Sequence, residues 1–128
     1  MTPFDCLREF HEKFGAAINQ VPTNSLLELR NNLIREESWE VEEELIENSL
    51  FGEYPDYDPK RLTKELADLL YVTIGAAVTF GLPLEEVFYE VHKSNMSKLG
   101  EDGKPIMRSD GKILKGPFYK EPDLDKFF

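Results

Sequence analysis

Apolar residues recur at three- and four-residue steps in four stretches of the chain, and this rhythm stops near Gly100. In the first stretch Phe4, Leu7, Phe10, Phe14 and Ile18 share one face. Thr2 can cap it and Pro3 suits the first helical position, so the spacing predicts a helix to about Ile18. Asn19–Asn24, with Pro22, reads as a connection. Ser25 followed by Glu28 has capping-box spacing and opens a long second helix to about Ser49. Its apolar side begins with Leu26, Leu29, Leu33 and Ile34 and continues through Val41 and Leu45. Phe51–Asp58, with Gly52 and Pro55, reads as a loop. Asp58-Pro59 then starts a third helix, which Gly81 ends after about Phe80. That helix is apolar nearly all round from Leu66 onward and is expected to be the most buried element. Pro83 begins a fourth helix to roughly Ser97, with Leu84, Val87, Phe88 and Val91 inward.

Beyond Gly100, Asp102-Gly103 and Asp110-Gly111 are turn signals. They flank Pro105–Arg108 and Lys112–Lys115, two short segments able to pair as a hairpin, and Phe118–Phe128 reads as an extended arm. The expectation is an all-α, four-helix bundle-like fold in a single domain over residues 1–128, with a helical body over 1–99 and an irregular tail over 100–128 that holds the hairpin.

The net charge of −10 argues against a protein that coats nucleic acid, since such proteins are basic. The charge is also uneven. Residues 1–92 hold 19 acids and 7 bases, whereas residues 93–128 hold 6 acids and 8 bases. An acidic body with a mildly basic tail suits a polyanion bound through metal ions and clasped by lysines, although a solvated acidic surface would look the same. Cys6 is the single cysteine, so no intrachain disulfide can form, and the reduced cytoplasm is the expected compartment. The N-terminus lacks the basic-then-apolar order of a signal peptide. Leu66–Leu84 contains Asp68 and is better read as a core helix than a membrane span, so no membrane partner is expected.

The acids of the second helix change the picture. At roughly 100° per residue, Glu36, Glu40, Glu43 and Glu47 fall in one narrow sector, with Glu37 and Glu44 at its edge. Such a stripe repels itself, and divalent cations would offset that cost better than solvent. On the third helix Glu65 and Asp68 share a face among residues that call for burial. Pairing of Glu65 with Lys64 or Arg61, and of Asp68 with another base, is the plain alternative for either acid alone; acids on both helices together point to metal. The Glu-x-x-His motif of di-iron bundles is absent, because Arg8 and Tyr89 stand three residues before His11 and His92. All-oxygen ligands favour Mg²⁺, with Mn²⁺ able to substitute, and a phosphate substrate.

Glu36-Glu37-x-x-Glu40, 24 residues, then Glu65-x-x-Asp68 resembles the signature of the MazG-like all-α nucleoside triphosphate pyrophosphohydrolases, a superfamily that includes dimeric dUTPases and phosphoribosyl-ATP pyrophosphohydrolase. The segment His92–Leu99 resembles the one that follows the metal helices. The tail Asp110–Pro117 with Pro122-Asp123-Leu124 resembles one MazG-like branch. The resemblance implies Mg²⁺ ligands at Glu37, Glu40, Glu65 and Asp68, and Glu36 as the group that positions or deprotonates the attacking water. It also implies cleavage of a nucleoside triphosphate to monophosphate and pyrophosphate, by a homodimer or a dimer of dimers.

Lys98, Lys112 and Lys115 are candidates to hold phosphates, and Asn95 to bond the sugar, a phosphate or a water; the plain alternatives are solvated lysines and a helix C-cap. Tyr119 is a candidate pocket wall or dimer contact, and Trp39 is expected in the core ahead of any contact with the base. Two other classes compete with the enzyme: a non-catalytic nucleotide-binding or helical interaction module, and an oxygen-ligated di-metal oxidase. The first predicts binding without turnover, the second bound iron.

Overall fold

The protein is described by a computed structural model over residues 1–47 and 58–128. Among the described residues, four α-helices, a π-helical turn, a two-stranded hairpin and a short 3₁₀ turn make up the regular structure, the all-α architecture expected from the apolar rhythm. The expected end of the second helix at Ser49, the loop from Phe51 up to Asp58, and the Glu47 side chain lie outside the described residues. By compactness the chain divides into Met1–Leu82 and Pro83–Phe128.

In the first unit, helix α1 spans Pro3–Phe14. Thr2 and Asp5 exchange hydrogen bonds in a capping box, worth about 1 kcal/mol for a residue of this type at the N-cap. The helix stops four residues before Ile18 because Gly15 takes the left-handed conformation at φ 72° and closes it. The chain then runs to α2 along the end of α3, with Asn19 and Gln20 N–H donating to the Val78 and Thr79 carbonyls.

Helix α2 covers Asn24–Glu42. Its cap is Thr23, whose hydroxyl accepts from the Leu26 N–H, and not the expected Ser25. From Glu43 to Glu47 the helix widens into a π-helical turn. That turn takes more residues per revolution and rotates the side chains after it, so Leu45 is exposed where a continuous α-helix would have kept it beside Val41. Leu29 is exposed as well, while Val41 is buried.

Helix α3, Pro59–Phe80, starts and stops as expected, capped by the Asp58 carboxylate and closed by Gly81 at φ 64°. Both α1 and α2 pack on it. Its burial is uneven, contrary to expectation. Ile74, Gly75, Ala77, Val78 and Thr79 are buried, whereas Leu66, Leu70 and Tyr71 are exposed. Helix α1 packs on it with Leu7 and His11 against Gly75 and Phe10 edge-on to Tyr71. Leu7, Val41, Ile74, Ala77 and Val78 form the apolar core, and His11 is buried with Nδ1 donating to the Ala17 carbonyl. Trp39, expected in the core, is 59 % exposed on the outer side of α2. Among the described residues no single helix is long and apolar enough to cross a membrane.

The second unit holds α4 (Leu84–Met96), then β1 (Ile106–Met107) and β2 (Ile113–Leu114), paired antiparallel with Ile106 opposite Leu114. Phe88 and Val91, expected inward, are exposed. The face of α4 that receives the tail is polar instead: Glu90, Ser94 and Ser97 recur at i, i+4 and i+7. Glu90 accepts from the Asp123 N–H and the Lys126 ammonium. Ser94 donates to the Lys120 carbonyl, and Ser97 accepts from the Lys120 N–H. Gly116 lies so close to the Lys98 and Leu99 carbonyls that any Cβ would run into them. The tail is therefore a docked strap ending in a 3₁₀ turn at Asp125–Phe127.

Candidate metal centre

Residues three or four apart on an α-helix face the same neighbour, so α2 offers Glu37 and Glu40 together, and α3 offers Glu65 and Asp68. Helices α2 and α3 pack against each other, and one oxygen from each of these four carboxylates lies within 4.8 Å of all the others. All four side chains are half-buried. Four acids at such distances repel strongly unless protons or cations intervene.

Glu65 and Lys64 are where that repulsion is felt. The neighbouring Glu40 carboxyl, sharing a hydrogen bond with Glu65, raises the Glu65 carboxyl above its ordinary range; loss of water and the charges of Glu40 and Asp68 push the same way, against Lys64. The Lys64 ammonium stands 2.6 Å from Asp68 and 3.7 Å from Glu65, in the role a metal cation would take. Those contacts, Asp68 first, raise Lys64 in turn. One ammonium does not serve four carboxylates. Glu37 Oε2 and Glu65 Oε2 are sealed from solvent and have no hydrogen-bond partner among the described residues. Two partnerless oxygens beside two more acids form a hard-oxygen donor set, and it fits Mg²⁺ or Mn²⁺.

Around this centre Glu44 is tied to Arg61, which also reaches Asp58. Arg61 is thus engaged with Glu44, not with Glu65, while Lys64 provides part of the plain pairing considered for Glu65 and Asp68. Glu36 is exposed, one turn before Glu40, and no ion pair engages it among the described residues. A cleft of about 510 Å³ on the outer side of α2 is lined by Arg35, Glu36, Ser38 and Trp39.

The remaining candidates belong to the second unit. Asn95 lies exposed in the last turn of α4, and the C-cap is Ser97, so Asn95 does not cap the helix. Lys98 is half-buried just beyond. Lys112 is exposed at the hairpin turn, where its backbone N–H donates to Asp110. The Lys115 ammonium sits 4.7 Å from the ring centre of half-buried Tyr119, a cation–π contact within the tail. Lys64's contact with Asp68 could have been read from their i, i+4 spacing; that it would also face Glu65 required the rotamer.

Carboxylates facing each other across two packed helices form a donor set suited to a hard cation. The sequence profile of the phosphoribosyl-ATP pyrophosphohydrolase family matches residues 7–95, and the chain belongs to that family, within the MazG-like all-α superfamily that its acidic motif resembles. A crystal structure of a "putative NTP pyrophosphohydrolase" from Exiguobacterium sp. 255-15 is similar over 95 % of this chain and 89 % of that one, at 26 % identity and a TM-score of 0.46. No curated protein matches the chain.

Proposed function

We propose that this protein is a Mg²⁺-dependent nucleoside triphosphate pyrophosphohydrolase that converts a (deoxy)nucleoside triphosphate to the monophosphate and pyrophosphate, with Mn²⁺ able to replace Mg²⁺. The observation that carries the reading is the convergence of Glu37, Glu40, Glu65 and Asp68 within 4.8 Å, with two of their oxygens sealed and unpartnered. These four would hold the metal. Bound there, it would neutralise charge on the phosphate oxygens and acidify water.

Glu36 is exposed and engaged by no ion pair among the described residues, so its carboxylate is available to accept the proton of the attacking water. Lys64 must leave Asp68 when metal enters, which its 66 % exposed side chain can do by rotating into solvent. For substrate contacts, residue chemistry rather than geometry nominates Asn95, Lys98, Lys112, Lys115 and Tyr119. The superfamily resemblance supports a homodimer or a dimer of dimers, and the single cysteine supports the cytoplasm.

The test is incubation with each common ribo- and deoxynucleoside triphosphate and Mg²⁺, with products separated by ion-exchange chromatography. Monophosphate plus pyrophosphate is expected, and lost in Glu40→Gln and Asp68→Asn proteins that keep their helical circular dichroism. Diphosphate plus orthophosphate, binding without turnover, or full activity in both variants would refute the proposal.

A further inference from the structure

Arg30 occupies the side of α2 that meets α3, and its helical neighbours three and four residues away, Leu26, Leu27, Leu33 and Ile34, are all apolar. The side chain is half-buried and Nε is sealed from solvent. Among the described residues no hydrogen bond or ion pair engages this guanidinium. The chain has 25 acids to 15 bases, so a shortage of carboxylates does not explain the solitude.

The surroundings are shaped to admit the group. A Cβ at Gly75 of α3 would stand 2.8 Å from Arg30 Nη1 and 3.3 Å from Nε2 of buried His11, so glycine is what leaves room there. Burial draws Arg30 below the usual arginine range, yet a guanidinium does not escape by losing its proton. A cation withdrawn from water without a counter-ion costs free energy, and that cost falls when an anion arrives. The sealed atom is Nε alone, so the terminal amino end is the part left open to a ligand. Its planar fork matches the two oxygens of a carboxylate or phosphate.

The site is not an extension of the carboxylate centre. Arg30 precedes Glu37 by seven residues and Gly75 follows Asp68 by seven, so the Arg30 layer lies about 10 Å along the helices from the acids. The geometry points to a binding site for a small oxyanion at the Arg30 guanidinium, walled by Gly75 and His11. It stands independently of the metal reading, because it can be probed without metal or nucleotide.

The probe is inorganic phosphate titrated into the full chain in EDTA at constant ionic strength, read as the thermal midpoint, with acetate as the carboxylate arm. Wild type is expected to show a saturable rise, with the stronger of the two anions identifying the preferred class. Arg30→Met, which keeps the stem and removes the charge, should lose the rise. Arg30→Lys, which keeps the charge and removes the fork, should bind about tenfold more weakly. Lys13→Ala and Lys104→Ala, at exposed lysines outside every candidate site, serve as controls and should respond as wild type does. No saturable rise in wild type with either anion, or an equal rise in Arg30→Met, overturns the site. So does a loss of oligomer mass in Arg30→Met by sedimentation without any anion response in wild type, since a protein carboxylate would then be the occupant.

Discussion

Glu37→Gln should make the protein more stable without metal and less stable with it. The substitution is nearly isosteric and removes one of four charges whose oxygens lie within 4.8 Å of each other. Two like charges at that distance repel by about 0.9 kcal/mol in a water-like dielectric, and by roughly half as much at physiological salt. Glu37 faces three such neighbours, so neutralising it relieves on the order of 1–2 kcal/mol. In a domain of this size that corresponds to a rise of several degrees in Tm. The amide can also donate to the neighbouring carboxylates, which the carboxylate it replaces cannot, and this acts in the same direction. Saturating Mg²⁺ reverses the order: wild type gains stability as RT ln(1 + [Mg²⁺]/Kd), and the variant, with a poorer donor set, gains less. The assay is differential scanning fluorimetry of both proteins in EDTA and across a Mg²⁺ series, with circular dichroism to confirm helicity. Curves that cross are expected. A variant less stable in EDTA that keeps the full Mg²⁺ response would refute the reasoning, because the acids would then be neither mutually repelling nor metal-binding.

The raised Glu65 carboxyl sets a pH dependence. A carboxyl raised on folding favours the folded state while protonated, so this contribution to metal-free stability is complete below the unfolded value and is lost as pH rises through the folded one. Mg²⁺ needs the carboxylate, so its affinity should fall on acidification at a pH above that of an isolated glutamate. Lys64→Ala removes the charge that lowers Glu65 and should move this inflection upward, as read by isothermal titration at several pH values. Gly116→Ala forces a methyl into the Lys98 and Leu99 carbonyls and should cost about 1–3 kcal/mol of tail docking, seen as faster limited proteolysis after residue 100. Trp39, the single tryptophan, is exposed next to Glu40, so its emission should change with the same Mg²⁺ midpoint as the thermal shift.

Much of the architecture follows from local chemistry, which a linear reading reaches. Asp58-Pro59 and Gly81 bound α3 because a carboxylate cap, a proline without an N–H and a glycine able to go left-handed each act within one turn. The spacing of Glu37, Glu40, Glu65 and Asp68 likewise assigns each pair to one helical face. Local signals also mislead when a neighbour competes, as Gly15 does in cutting α1 short and the π-helical turn does in exposing Leu45. What a linear reading does not contain is which face meets which. Trp39 is outward, and Leu66 and Leu70 of α3 are exposed while Glu65 and Asp68 face α2, a matter of packing between elements distant in the chain. Only the folded arrangement leaves Arg30 without a counter-ion beside Gly75, since helical periodicity describes a residue's own element and says nothing of the helix across from it.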